Sequence, residues 1–144
     1  MINDDTIELL RECNAGIKMG VSTIDNVFDA VESNELRELL FKSKQEHKKL
    51  GNETRRLLNN YDDSGKEPAP MAKGMSWIKT NVMLSMNPGD KTVSDLITDG
   101  CNMGVKSLNR YLNEYEAAEE KAKDIAKRLI NLEEELAEEI SCFL

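Results

Sequence analysis

Ile7, Leu10, Asn14, Ile17, Val21, Ile24, Phe28 and Val31 follow one another at alternating intervals of three and four residues. That is the spacing of one face of a long α-helix packed against other helices. Asn3-Asp4-Asp5 offers N-caps ahead of it, with Asp5 and Glu8 in the Asp-x-x-Glu arrangement of a capping box. Ser33-Asn34 interrupts the pattern and supplies a fresh cap. Leu36, Leu40, Ser43, His47, Leu50, Thr54, Leu57 and Tyr61 then resume the helical spacing. So short a connection makes the two helices antiparallel.

Residues 62–70 are rich in Asp, Ser, Gly and Pro and cannot continue a helix. Beyond them Met71, Met75, Ile78, Val82 and Met86, with Trp77 beside them, mark a shorter amphipathic helix that Asn87-Pro88-Gly89 stops. The whole stretch, 62–91, is long enough to carry the chain back along the two helices to their starting end. Thr92 can cap a third long helix with apolar positions at Val93, Ile97, Cys101, Val105, Leu108, Leu112 and Tyr115. A fourth follows on Ala118, Ala122, Ile125, Leu129, Leu132, Leu136, Ile140 and Phe143. No Gly or Pro separates these two, so by pattern alone they could form one rod of about 70 Å at 1.5 Å per residue.

A repeat argues against the rod. Cys13-Asn14-Ala15-Gly16-Ile17-Lys18 and Cys101-Asn102-Met103-Gly104-Val105-Lys106 are one phrase written twice, 88 positions apart. Matching the second half to the first places a turn near Glu116 to Glu120, with Leu36, Leu39 and Leu50 falling on Ala122, Ile125 and Leu136. The prediction is a single all-α domain over 1–144: hairpin one at 4–61, a crossover with a short helix at 62–91, and hairpin two at 92–143. Two antiparallel hairpins joined by one long crossover is the ferritin-like form of the four-helix bundle.

Composition narrows the setting. With 40% hydrophobic and 32% charged residues the chain reads as helical and globular. No apolar run approaches the ~20 residues needed to span a membrane. Three cysteines without metal-type spacing and an acidic N-terminus suit a cytoplasmic protein. A net charge of −8 disfavours nucleic acid and anionic lipid.

The Leu9-Leu10 to Gly16 opening of helix one, the Met75-Ser76-Trp77-Ile78-Lys79 helix in the crossover and the Asp99-Gly100-Cys101 stretch of helix three together resemble an uncharacterised bacterial ferritin-like family, filed as a domain of unknown function. The resemblance implies the bundle fold and a bacterial origin. It implies no catalytic residues.

Ferritin-like di-iron centres take a Glu from each of two helices and a Glu-x-x-His pair from each of the other two. Here the one histidine, His47, has Lys44 three residues before it, so no Glu-x-x-His exists. Where carboxylates are expected, helices one and three carry Asn14 and Asn102, poor donors for iron. The inward pairs on helices two and four read His47 with Leu50 and Glu133 with Leu136. No di-iron site, catalytic residue or cofactor is therefore expected.

Weaker alternatives remain among these residues. Cys13, His47, Cys101 and Glu133, with Glu12 and Glu46 nearby in sequence, could supply a thiolate and imidazole site suited to zinc; the plainer reading makes both cysteines small buried hydrophobes and His47 a hydrogen-bonded core residue. Asn14 and Asn102, facing one another, would form a polar seam that fixes helix register. Gly16 and Gly104, with Gly20, would allow close helix approach. Met71, Met75, Trp77 and Ile78 could present a contact surface on the crossover, or simply cap the core. The leading expectation is a non-enzymatic structural or interaction protein, with a homo-oligomer or a protein partner at the crossover helix. The alternative is a divergent metal-binding or redox member of the ferritin-like superfamily.

Overall fold

A computed structural model describes residues 4–68 and 79–144. The chain is all-helical, and the described residues contain no strand. Four long helices dominate: α1 (Asp4–Phe28), α2 (Asn34–Asn59), α3 (Asp90–Glu114) and α4 (Glu120–Ile140). Residues 79–86 are also helical, and a 3-10 turn at Ser141–Phe143 ends the chain. No helix among the described residues is long and apolar enough to cross a membrane.

The turns fix how the helices run. α2 starts where its cap predicts, with the Ser33 hydroxyl accepting from the Leu36 amide at 3.0 Å. Val31, read as the last seam position of helix one, lies past the helix end in the turn yet is still buried. α3 begins two residues before Thr92, because Gly89 turns the chain at φ 118° and the helix opens directly at Asp90. The Asp90 carboxylate accepts from the amides of Glu32 (2.7 Å) and Ser33 (3.0 Å), which ties the start of α3 to the α1–α2 turn. At the opposite end Asp5, expected in a capping box, instead accepts from the Ala117 amide at 3.1 Å, and Thr6 accepts from Glu119 at 2.8 Å. The helix-three to helix-four turn, Tyr115 to Glu119, thus lies at the N-terminal end of α1, one residue ahead of the predicted stretch, and the two helices are separate.

It follows that α1 and α4 run one way and α2 and α3 the other, with α2 ending and α3 beginning at opposite ends of the helices. α1 packs against α2, α3 and α4, while α4 packs against α2 and α3. The apolar interior is in two parts. A lower cluster gathers Leu9, Leu10, Cys13, Ile17, Leu50, Leu108 and Leu129, and an upper one Ile24, Val27, Leu40, Val93, Ile97, Cys101 and Leu136. Between them each helix contributes one residue that is not an apolar side chain: Gly20, His47, Gly104 and Glu133.

Candidate functional site: a polar layer at mid-height

His47 lies between Ser43 and Leu50 on the buried face of α2, and Glu133 between Ile130 and Leu136 on that of α4. Offset by 86 residues, as Leu50 is from Leu136, they fall on matching positions when the second half of the sequence is aligned on the first. The structure brings them face to face, His47 Nε2 to Glu133 Oε1 at 2.5 Å, with side chains 1% and 11% exposed. The other ring nitrogen, Nδ1, stands 2.8 Å from the Ser43 carbonyl oxygen, with the Ser43 hydroxyl at 3.5 Å.

A backbone carbonyl can only accept, so Nδ1 carries a proton. A carboxylate also accepts, so the arrangement suits an imidazolium with both nitrogens protonated. Burial pushes the His47 pKa down; the Glu133 hydrogen bond and charge, the Ser43 carbonyl and the charge of Glu46 together outweigh it and raise the pKa above 6.5.

Glycines make the room. A Cβ on Gly20 of α1 would come within 3.0 Å of the His47 ring, and one on Gly104 of α3 within 3.5 Å of Glu133 Oε2. Gly16, although it repeats Gly104 in sequence, is exposed, and its nearest neighbour would be Leu129 at 3.7 Å. The close approach therefore belongs to Gly20 and Gly104.

Of the four residues considered for zinc, Glu133 meets His47 and neighbours Cys101, while Cys13 lies apart. Cys101 neighbours Glu133, and burial, followed by that carboxylate, pushes its thiol far up. Cys13 belongs to the lower cluster, where burial, then Glu12, pushes its thiol up to about 12. Glu12 is engaged by Lys66, and Glu46 lines a shallow groove between α2 and α4. Among the described residues no three His, Cys, Asp or Glu side chains are grouped so as to hold a metal ion.

The asparagines do not form the expected seam. Asn102 is exposed on α3, and Asn14, 2% exposed, turns its amide to the crossover, donating to the Lys66 carbonyl at 3.0 Å. Residues 62–68 are strapped along α1. Asp63 takes Nε and Nη2 of Arg11 at 2.9 and 2.6 Å and the Gly65 amide at 2.8 Å, while Lys66 pairs with Glu12 and Lys18 with Glu67. Gly65 sits at φ 87° with Asn14 Nδ2 only 2.6 Å from where a Cβ would be, so no side chain fits there.

Met71, Met75, Trp77 and Ile78 lie outside the described residues. On the helical stretch that follows them, Val82 and Met86 are exposed, while Met83 and Leu84 pack on the upper cluster. The repeat offset marks His47 and Glu133 as matching inward positions but not that they meet, and it gives no sign of the role of Gly20, whose match in the second half is Leu108.

No family model, curated protein or solved structure matches the chain.

Proposed function

We propose that the chain is a ferritin-like four-helix bundle, built from two repeated hairpins and a crossover helix, that acts without catalysis as a structural or interaction protein of the cytoplasm. The mid-height position, where a di-iron member of that superfamily carries its ligands, serves here as a polar lock. The observation that carries this reading is the engagement of both ring nitrogens of His47, Nδ1 by the Ser43 carbonyl and Nε2 by Glu133. An imidazolium so held has no lone pair to offer a metal or a substrate proton. Cys13 and Cys101, protonated and buried, are not nucleophiles, and three free thiols suit a reducing compartment. Function then rests with the surface, including the crossover helix.

One observation favours a second reading. Glu133 of α4 meets the imidazole of His47 on α2 and neighbours the thiol of Cys101 on α3; the three are not grouped to hold a metal ion as they stand, and zinc binding would require them to lose their protons and draw together. Elemental analysis of untagged protein, before and after loading with iron and with zinc, separates the two. The lock reading expects no stoichiometric metal in any preparation; an equivalent of zinc that disappears in His47→Ala and Cys101→Ala would replace it with the metal-binding reading.

A further inference from the structure

The charges on α4 are set against the helix itself. Lys121, Lys123, Lys127 and Arg128 fall in its N-terminal half, with Glu120 and Asp124 among them, and Glu134, Glu135, Glu138 and Glu139 in its C-terminal half, with no basic residue in the last turn. A helix macrodipole disfavours carboxylates in the last turn, so Glu138 and Glu139 cost α4 stability, while Glu120 in the first turn offsets Lys121 and Lys123. All four of those glutamates are exposed and without an ion pair among the described residues.

α2 lies antiparallel beside α4 and continues the division. At the end where α4 is acidic it presents exposed Glu35 and Glu38, with Lys42 set among them; at the other end it presents exposed Lys48, Lys49, Arg55 and Arg56. None of these four cations is in an ion pair among the described residues, nor is Lys127, whereas Arg128 is tied to Glu53 and Asp124, Lys121 to Glu119 and Lys123 to Glu120. The outward face of α2 and α4 is thus acidic at one end and basic at the other. Phe41 of α2 is 55% exposed.

From this division we infer that the α2–α4 face is a self-association surface, and that its occupant is a second copy of this chain turned end for end. A two-fold axis lying in the interface across both helices sets α2 on α2 and α4 on α4 of the partner in antiparallel order. Each acidic end then meets a basic end twice, and the contact is isologous and closed. A parallel arrangement would set like charges together. Two adjacent helices about 30 Å long and about 10 Å wide offer on the order of 600 Å² per copy, enough for a small specific interface. The inference goes beyond the proposed function and does not depend on it: metal-free and metal-loaded chains would associate alike.

Sedimentation of the untagged chain at low and high salt tests this. A dimer is expected whose dissociation constant rises at least roughly tenfold between about 0.05 M and about 0.5 M salt, as screening removes the complementarity. Two charge-reversed chains sharpen the test. Glu134→Lys with Glu135→Lys and Glu138→Lys gives a chain basic at both ends; Lys48→Glu with Lys49→Glu, Arg55→Glu, Arg56→Glu and Lys127→Glu makes one acidic at both. Each alone is expected to be monomeric, and an equimolar mixture to form a heterodimer. The first triple variant relieves α4's own dipole, and helical circular dichroism confirms that monomers are folded. A wild-type chain that stays monomeric at low salt, a dimer indifferent to salt, or variants that self-associate as wild type does would each overturn the inference, as would a mixture that fails to pair.

Discussion

The two copies of the Cys-Asn-x-Gly phrase sit at matching places on α1 and α3, yet only the first is covered. Asn14 is buried under the strap at 62–68 and holds it through the Lys66 carbonyl; Asn102 faces outward. Lys18 pairs with Glu67 on the strap, while Lys106 is exposed. The glycines divide in the opposite sense, since Gly104 of the second phrase lies against Glu133 while Gly16 of the first is exposed. Similar hairpins are thus made unequal by what crosses them. A crossover can lie on one side of the repeat only, and the residue it covers acquires a partner that its twin lacks.

The largest expected effect is at His47 and Glu133, where matching positions of the two halves meet. Glu133→Ala leaves the buried imidazole without its acceptor and should cost about 3 kcal/mol in urea unfolding, the low end for a broken buried pair because the ring can discharge. A cost below about 1 kcal/mol, the range of an exposed pair, would show that the pair is not a lock.

Next comes the glycine contrast. Gly20→Ala drives a methyl against the His47 ring and should destabilise by roughly 1–3 kcal/mol. Gly16→Ala meets open space and ordinary contact, so the helix propensity of alanine should stabilise by up to about 1 kcal/mol. Equal effects at the two positions would contradict the assignment of the close approach to Gly20.

Smaller again is the asparagine pair. Asn14→Ala removes a buried donor to the strap and should cost about 1–2 kcal/mol, with faster hydrogen exchange and proteolysis across 62–68. Asn102→Ala on the exposed face of α3 should gain a few tenths of a kcal/mol. Similar losses at both sites would restore the symmetric seam.

The smallest effect is a slope with pH. A folded His47 pKa raised above 6.5 means that the native state binds the proton more tightly than the unfolded chain. The stability it contributes is fully present below pH 6.5 and is lost as pH rises through the folded value. Unfolding free energy should therefore decline from pH 6.5 upward, and Glu133→Gln should flatten that decline. A slope that persists unchanged in the variant would assign the proton to another group.

Much of the helical order was legible from spacing, since three-and-four periodicity marks a buried face wherever helices pack side by side. The break between α3 and α4 was legible only through the repeat, because nothing in Glu116 to Glu120 breaks a helix by its own chemistry. What sequence could not supply was long-range capping: Asp5 and Asp90 read as local helix starts, but their carboxylates serve turns 112 and 57 or 58 residues away. The asparagine seam failed for a related reason, since identical residues in a repeat need not share an environment. His47 and Glu133 were read separately as inward positions; that they satisfy one another depends on the α2–α4 contact, which periodicity on either helix does not encode.

His47 is the only histidine in the chain, so a nitrogen-15 NMR titration of the imidazole reads the polar layer directly. The account predicts a ring protonated on both nitrogens at pH 6.5, discharging only at higher pH, with no change on adding zinc. A ring already neutral at pH 6.5, or one whose nitrogen shifts on zinc addition, would contradict the structural lock.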